Sequence, residues 1–425
     1  MTSILLKGGV VIDTDPVPTV LGGSDVLVRD GLIATVGPDL AAGPGTEVID
    51  ASGTIVLPGF VDTHRHTWQA GIRAILPDTT LPVYLERILY GIAPRFEARD
   101  VYASVLGGAL ECLESGITTL LDWSHIQLTP SHTDANVEAL RAAGIRSVFG
   151  YAYGGRGDLD AMAAETRRVH REHFGDDPRS MALAAFGPEI GGPERGVAEW
   201  RVARELDLPV TAHMGGHSAE SAERGLAVLE GEGLLGHRAT YVHGLFYTDE
   251  AFKRIAANGG SVSVTPTSET MLNIGLPPTG RARAAGLPTS LSGDTVATGP
   301  GDMFSLMRAA YMFERVRPDD AGMGFTTRDV LRMATIEGAE TLGLADVTGS
   351  LRPGKQADLI MLRTDTLGMA SAHDPIAAVV LCADTSSVDT VLVGGRIVKR
   401  GGRLVHHDVP AVLAGIAETA ARVGG

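Results

Sequence analysis

The sequence predicts an α/β protein built on a (β/α)8 barrel of the TIM type, with additional short strands at both ends of the chain. About eight strand-like segments alternate with helix-like segments through the middle of the 425 residues, which is the arrangement of such a barrel. The strand-like segments are almost continuously apolar, which is typical of a parallel sheet covered on its outside. Polar residues end several of these segments. An open parallel sheet is the alternative that this pattern leaves.

The two ends of the chain consist of short apolar segments separated by glycine, aspartate and proline, which predicts strands joined by turns. A chain of this length suits one large domain with a smaller satellite, so we expect these strands to form the satellite. The segments are residues 4–6, 10–12, 25–28, 32–36 and 47–49, followed near the C-terminus by 358–362 and 388–398.

The middle of the chain supplies the predicted barrel. The strands are expected at residues 59–66, 117–123, 145–151, 181–187, 208–213, 239–243, 260–265 and 289–294. Helical patterns lie between most of them, for example at residues 135–143, 159–173, 197–206, 219–230 and 249–257.

Composition excludes several classes of protein. The formal net charge of −15 argues against nucleic acid or anionic membranes as partners, since both attract basic surfaces. Two cysteines, Cys112 and Cys382, exclude a disulfide framework and a cysteine-rich zinc site. Neither a signal peptide nor a membrane span is evident, so we expect a cytoplasmic protein.

Four histidines and one aspartate occupy the predicted strand ends. His64 and His66 end the first strand, and because residues i and i+2 of a strand point to the same side, both imidazoles can reach one point. His213 ends the fifth strand, His243 the sixth and Asp294 the eighth. Barrel enzymes place their chemistry at the carboxyl ends of strands, so the set predicts a metal site there.

The pattern resembles the amidohydrolase superfamily, in the branch that contains cytosine and guanine deaminases and the triazine hydrolases. The resemblance spans nearly the whole chain. It rests on Pro-Gly-Phe-Val-Asp-Thr-His-Arg-His at residues 58–66, Val-His-Gly at 242–244, Thr-Asp-Glu-Ala-Phe at 248–252, Thr-Pro-Thr-Ser at 265–268, Leu-Ser-Gly-Asp at 291–294 and Gly-Ser-Leu-Arg-Pro-Gly-Lys-Gln-Ala-Asp-Leu-Ile at 349–360.

The resemblance implies a domain plan in which both chain ends join in one small β-sandwich. Residues 1–57 and 346–425 would form the sandwich and a tail, and residues 58–345 the barrel. It also implies one divalent ion, most simply zinc, with iron or manganese and a second ion not excluded. The implied ligands are His64, His66, His213 and Asp294.

A metal ion would make hydroxide available near neutral pH. Asp294 would then accept the proton of water, and His243 would stabilise the charge that develops on the attacked group. In family members with two ions, the resemblance gives His243 the role of a ligand to the second ion.

The chain departs from the family at the residue expected to move protons. Deaminases of this branch carry glutamate three residues after the fifth-strand histidine, whereas this chain has Gly216. His217 and Glu189 are the candidates to replace it. Glu189 follows the fourth strand and is alternatively a ligand to a second metal. Glu220 is a third candidate, for which a stabilising position at a helix start is the simpler explanation.

Other polar residues near strand ends are candidates for substrate binding. His125 follows the second strand, and Trp68 and Gln69 follow the histidine pair. Ser268 and Glu269 follow the seventh strand. Each also has a purely structural interpretation as a packed or capping residue.

We therefore expect a metal-dependent hydrolase that attacks a C–N bond, other than a peptide bond, of a small cyclic or heteroaromatic molecule. Because of Gly216, amide-type hydrolysis is favoured over deamination through His217 or Glu189. A dechlorinase, a decarboxylase and a non-catalytic scaffold are the less favoured alternatives. A homo-oligomer, dimer or tetramer, is expected from the family.

Overall fold

The computed structural model describes residues 3–154, 158–318 and 321–424. Within those residues, eight parallel strands form one sheet in simple sequential order. This confirms the barrel predicted from the alternating pattern. The barrel strands are β6 (Phe60–Arg65), β7 (Ile117–Ser124), β8 (Arg146–Tyr151), β9 (Met181–Ala185), β10 (Val210–Met214), β11 (Ala239–His243), β12 (Ser261–Val264) and β13 (Thr289–Leu291).

The first and last barrel strands meet at their carboxyl ends. Arg65 and Asp294 form a parallel bridge, in which the Asp294 amide donates to the carbonyl of His64 (2.9 Å) and the His66 amide donates to the carbonyl of Asp294 (2.8 Å). Further down the strands, the hydroxyls of Thr63 and Ser290 are 2.8 Å apart. The seam between β6 and β13 therefore runs directly past the predicted metal ligands.

Helices cover the barrel and follow most of its strands. Their starts agree with local capping: Ser218 Oγ accepts from the Ser221 amide (3.1 Å), and Thr248 Oγ1 accepts from the Ala251 amide (3.1 Å). The helices of this part of the chain are α1 (Leu81–Tyr84), α2 (Ala98–Glu114), α3 (Pro130–Ala143), α4 (Leu159–Val169), α5 (Pro193–Glu205), α6 (Ala219–Gly231), α7 (Asp249–Ala257), α8 (Pro266–Met271), α9 (Thr279–Ala284), α10 (Met303–Arg315), α11 (Thr327–Met333) and α12 (Ile336–Thr341).

Short 3-10 and π-helical segments extend some of the helices or connect them with neighbouring strands. The 3-10 segments are Thr67–Ile72, Ala93–Arg95, Pro178–Ser180 and Thr385–Ser387, and the π-helical segments are Leu85–Ile92, His170–Phe174 and Gly187–Gly191. Two of them, Leu85–Ile92 and Gly187–Gly191, contribute to the mouth of the barrel. The predicted helix at residues 159–173 is in fact an α-helix continued by a π-helical turn.

Both ends of the chain share a second sheet, as predicted. Over the described residues it has nine strands, with β5 from the N-terminal part pairing antiparallel with β14 from the C-terminal part. Residues 4–6 and 10–12 form one continuous strand, and residues 388–398 split into a hairpin. The strands are β1 (Ser3–Asp13), β2 (Thr19–Arg29), β3 (Leu32–Gly37), β4 (Glu47–Asp50), β5 (Thr54–Pro58), β14 (Leu359–Arg363), β15 (Val388–Val393), β16 (Arg396–Arg400) and β17 (Arg403–Leu404).

The C-terminal segment returns to the barrel rather than staying with this sheet. After α13 (Pro375–Leu381) and the strands β15–β17, helix α14 (Val409–Val423) packs on barrel helix α2. Arg422 and Thr419 of α14 both donate to the buried carboxylate of Asp100 in α2, with Thr419 Oγ1 at 3.3 Å from Oδ1. In the part of the chain that the structure describes, no helix has both the length and the apolarity needed to cross a bilayer.

Candidate metal centre and substrate cavity

Three histidines and one aspartate bring their ligand atoms together at the barrel mouth. One ligand atom from each of His64, His66, His213 and Asp294 lies within 4.8 Å of the others. Asp294 Oδ1 is 3.3 Å from His64 Nε2 and 3.2 Å from His66 Nε2, and the Nε2 atoms of His64 and His213 are 3.2 Å apart. His64 lies on β6 and His66 directly follows it, His213 lies on β10, and Asp294 lies in the turn after β13.

Neighbouring groups fix how these ligands point. His66 Nδ1 donates to the carbonyl of Trp123 (2.7 Å), so that ring keeps its proton on Nδ1 and presents the lone pair of Nε2 to the cluster. Ser268 Oγ donates to Asp294 Oδ2 (2.6 Å), which leaves Oδ1 for the cluster. Ser268, a candidate for substrate binding, thus contacts Asp294.

The protonation states of His64, His213 and Asp294 suit metal binding. Burial, together with the positive charge that other imidazoles would carry, lowers the pKa of His64 to about 3 and that of His213 well below its usual value. Burial would raise the pKa of Asp294, but hydrogen bonds with His64 and His66 outweigh it, and the net pKa is well below the usual value. Neutral imidazoles and an ionised carboxylate are the forms that bind a divalent ion, so the residues present fit zinc or a similar ion.

His243 stands beside the cluster with its own carboxylate partner. Its ring is stacked on His213 (centroids 5.4 Å apart, 17° between planes). Its Nδ1 is 3.1 Å from Thr265 Oγ1 and 3.2 Å from Oε1 of the buried Glu269. Burial would lower the pKa of His243, but the hydrogen bond with Glu269 and the negative charges of Asp294 and Glu269 outweigh it, and the net pKa is raised. Glu269, which the sequence offered only as a substrate contact, lies behind His243.

The loop after β10 carries Gly216 and His217 into the cavity, and Glu189 lies behind it. Glu189 Oε2 accepts from the Gly215 amide (2.6 Å), and Oε1 accepts from Ser221 Oγ (3.0 Å) and lies 3.3 Å from His217 Nδ1. Burial would raise the pKa of Glu189, but the hydrogen bond with His217 and those from Gly215 and Ser221 lower it more. Glu189 is therefore an anion that orients His217. The third candidate, Glu220, pairs with Arg224 on the surface.

The substrate-binding candidates after β6 and β7 form a second group. Trp68 Nε1 donates to His125 Nδ1 (3.0 Å), and the His125 ring is stacked on His66 (4.0 Å, 16°). Gln69 is buried and donates to the hydroxyl of Tyr84 (2.6 Å), which itself lines the cavity. Gln69 thus lies behind Tyr84, a residue that the sequence pattern gave no reason to select.

A small cavity of about 140 Å³ opens over the metal ligands. Aliphatic and aromatic side chains form most of its wall, and of the described residues that line it, none is lysine or arginine. A wider groove of about 1140 Å³ adjoins it and shares several of its residues, His125 and Phe186 included. The cavity is lined by His66, Leu81, Tyr84, Leu85, Leu89, Tyr90, Trp123, His125, Phe186, Ile190, His213, Gly216, His217, His243, Leu272, Ile274 and Asp294.

Comparison with known proteins identifies the family. The model described as "Amidohydrolase family" matches residues 55–398. Because this match covers most of the chain, the protein belongs to the amidohydrolase family. It is accordingly a metal-dependent hydrolase acting on carbon–nitrogen bonds other than peptide bonds, as the sequence predicted.

Individual relatives match over nearly their full length. The 5'-deoxyadenosine deaminase of Methanothermobacter thermautotrophicus is 30% identical over 415 residues, 95% of this chain and 94% of the relative. The 5-methylthioadenosine/S-adenosylhomocysteine deaminase of Desulforudis audaxviator is 30% identical over 416 residues, 94% of each chain. An adenosine deaminase from Xanthomonas campestris, solved with bound zinc, superposes with a TM-score of 0.90 at 25% identity, covering 99% of this chain and 98% of that one.

Proposed function

We propose that this protein is an aminohydrolase that removes an amino group from a heteroaromatic ring, with His217 as the proton carrier. The observation that carries the proposal is the position of His217. It lines the same cavity as His213 and Asp294, and it has a buried carboxylate, Glu189, 3.3 Å from its Nδ1. The relatives that are deaminases of adenosine-type compounds support ring amines as the substrate class.

The ligand set supports one divalent ion, held by His64, His66, His213 and Asp294. Three imidazole nitrogens and one carboxylate oxygen are donors that zinc prefers, and iron(II) or manganese(II) also accepts them. Such an ion, when bound, lowers the pKa of a coordinated water molecule towards neutrality. The zinc in the Xanthomonas campestris structure favours zinc here.

Asp294 acts on the attacking water, and His243 acts on the substrate. Asp294, kept ionised by its histidine neighbours, accepts a proton from the attacking water, while the hydrogen bond from Ser268 holds its second oxygen in place. His243, whose raised pKa favours the protonated ring, donates a hydrogen bond from Nε2 to the atom on which negative charge develops. Glu269 keeps the ring oriented through Nδ1.

His217 takes the second proton of the attacking water and delivers it to the leaving nitrogen, while the proton held by Asp294 passes to a ring nitrogen, so that water and ring amine become a ring carbonyl and ammonia. Its Nδ1 faces the Glu189 carboxylate, so Nε2 is the atom free to take up and deliver a proton. Glu189 stabilises the protonated imidazole that exists between the two transfers. The pair thereby replaces the single glutamate that the family resemblance places at Gly216.

The test is release of ammonia from ring amines by the zinc-loaded protein. A panel of 5'-deoxyadenosine, 5-methylthioadenosine, S-adenosylhomocysteine, adenosine, cytosine and guanine is assayed, with cyclic amides and imides as the matched competing set. We expect ammonia from at least one ring amine and no ring opening of the amides. Hydrolysis of amides alone would overturn the proposal in favour of amide-type hydrolysis. The cytoplasmic location and the dimeric or tetrameric assembly expected from the sequence stay predictions.

A further inference from the structure

The proton of His125 has a fixed position. The indole N–H of Trp68 points at His125 Nδ1, 3.0 Å away. An indole nitrogen only donates hydrogen bonds, so Nδ1 must be the acceptor and carries no proton. A neutral imidazole that accepts at Nδ1 has its proton on Nε2. The tautomer of His125 thus follows from its neighbour.

Packing holds the Trp68 and His125 rings in the arrangement that this hydrogen bond requires. The His125 ring lies flat on His66 (4.0 Å, 16°) and edge-on to Trp123 (5.5 Å, 87°). Trp68 is fully buried and packs edge-to-face on Phe96 (4.9 Å, 87°). Turning the His125 ring over would move Nδ1 away from the indole and leave a buried N–H without an acceptor, which is unfavourable.

The Nε2–H of His125 has no acceptor in the part of the chain that the structure describes. Nδ1 is satisfied by Trp68, and among the described residues no side chain or carbonyl accepts from Nε2. His125 is partly exposed and lines both the small cavity and the adjoining groove. Four other residues line both: Leu89, Phe186 and Ile190 offer no polar side-chain atom, and the hydroxyl of Tyr90 makes no hydrogen bond with His125. A substrate atom is therefore the partner that this donor lacks.

We propose that His125 selects the substrate by donating a hydrogen bond from Nε2 to an acceptor atom of the ring. The inference rests on the proposed function and deepens it: the substrates are heteroaromatic amines that present an unprotonated ring nitrogen or a carbonyl oxygen to His125. A ring with N–H or C–H there leaves the donor unpaired between apolar walls. Sites built around such a hydrogen bond reject analogues that cannot make it.

The test compares substrates that differ by one acceptor. The probes are 5'-deoxyadenosine and analogues in which one ring nitrogen, remote from the amino carbon, is replaced by C–H. We expect one replacement to lower kcat/KM about 10- to 100-fold in the native enzyme, the size of one lost hydrogen bond. The ratio of kcat/KM for 5'-deoxyadenosine to kcat/KM for the analogue should fall towards one in His125→Phe, which keeps a flat ring against His66. His125→Gln, which keeps an N–H donor, retains part of it.

Trp68→Phe tests the tautomer of His125 while leaving the His125 ring in place. It keeps an aromatic ring against Phe96 but removes the indole N–H, so the proton of His125 is free to occupy either nitrogen, and the ratio also falls. Nitrogen-15 NMR of histidine-labelled enzyme follows the tautomer without any turnover: we expect a protonated Nε2 in the native enzyme and a mixture in Trp68→Phe.

Two outcomes overturn the inference: a proton on Nδ1 of His125 in the native enzyme, or an unchanged ratio in His125→Phe. If no ring amine is turned over, the proposed function fails, and calorimetric binding of the same probes to native enzyme and His125→Phe supplies the ratio instead. The two failures are thus distinguishable.

Discussion

His243 and Asp294 have left-handed backbone conformations, with φ of 76° and 52°. Residues other than glycine adopt this conformation at a cost of about 1–3 kcal/mol, and such strain concentrates at functional sites. Here both residues end or follow a barrel strand, and the backbone hydrogen bonds of Asp294 with His64 and His66 hold it there. The turn at each residue places the Asp294 side chain within the ligand cluster and the His243 side chain beside it.

Replacement of Asp294 by asparagine tests the role of its charge. The amide has almost the same size, but it neither accepts a proton from water nor binds a divalent ion as strongly. We expect kcat to fall at least about 1000-fold and the metal content of the purified protein to drop. Steady-state kinetics and elemental analysis measure the two effects. Near-normal turnover by Asp294→Asn would refute the assignment.

Replacement of His217 by alanine tests the proton carrier. We expect kcat to fall about 10²- to 10⁴-fold, the usual contribution of general acid–base catalysis, with metal content unchanged. A Cβ atom at Gly216 would meet only His243 Cδ2, at 3.9 Å, so a longer side chain has room to start there. Adding Gly216→Glu to His217→Ala should therefore restore part of the lost rate by supplying the carboxylate typical of the family.

Gly216→Gln in the same His217→Ala background is the matched control, because it has the size of glutamate but transfers no proton. Equal recovery with glutamine and glutamate would attribute the gain to packing. Full activity of His217→Ala itself would remove His217 from the mechanism.

Sequence patterns could predict where polar residues cluster but not which of them pair. His64, His66, His213 and Asp294 were predictable because strand ends of one barrel must converge. The pairing of His217 with Glu189 joins the loops after two different strands, and that of His243 with Glu269 depends on the course of α8. Such side-chain contacts depend on loop geometry, which strand periodicity does not encode.

At the scale of elements, the loop from β10 to α6 is fixed by one buried carboxylate. Glu189, in the π-helical turn after β9, accepts from the Gly215 amide and from Ser221 Oγ. A carboxylate that accepts such hydrogen bonds is stabilised in its ionised form, consistent with its lowered pKa. The position of His217 therefore depends on the π-helical turn after β9, to which His217 does not belong.

Glu189→Gln should destabilise the fold by about 1–3 kcal/mol near pH 7, because hydrogen bonds to a charged acceptor are lost. The pKa of Glu189 is lower in the folded state than in the unfolded state. Its stabilising contribution is thus present above the unfolded pKa and is lost as pH falls through the folded pKa. The difference in unfolding free energy between native protein and variant should shrink on acidification, measured by urea unfolding at several pH values.

Glu220→Gln serves as the control for that series, since the Glu220 side chain is 87% exposed and should change stability little at any pH. A Glu189→Gln variant as stable as the native protein at pH 7 would show that the Glu189 carboxylate does not hold the loop from β10 to α6 in place.

Part of the cavity wall comes from the segment between β6 and α2. Leu81, Tyr84 and Leu89 belong to α1 and the π-helical segment after it. The α1 helix has only four residues, and the π-helix after it lacks the 3.6-residue period on which sequence interpretation depends, so neither segment, nor Tyr84 in α1, was predicted.

At the scale of the whole molecule, the metal ligands bridge the seam that closes the barrel. His64 and His66 lie on one side of that seam and Asp294 on the other, and a single bridge, Arg65 with Asp294, joins the two strand ends over the described residues. His213 comes from β10, in the middle of the sheet order. An ion held by all four residues would connect both edges of the sheet with its middle.

Removal of the metal should therefore lower the stability of the entire barrel as well as abolish activity. A ligand that binds only the folded state stabilises it by about 4 kcal/mol at 1000 times its dissociation constant, so the chelated protein should unfold at a clearly lower temperature. Calorimetry before chelation, after chelation and after addition of zinc measures the effect. His217→Ala, which leaves the ligands intact, should show the same shift on chelation, and Asp294→Asn a much smaller one. Identical unfolding temperatures for the chelated and the zinc-loaded native protein would show that these four residues do not join the barrel through an ion.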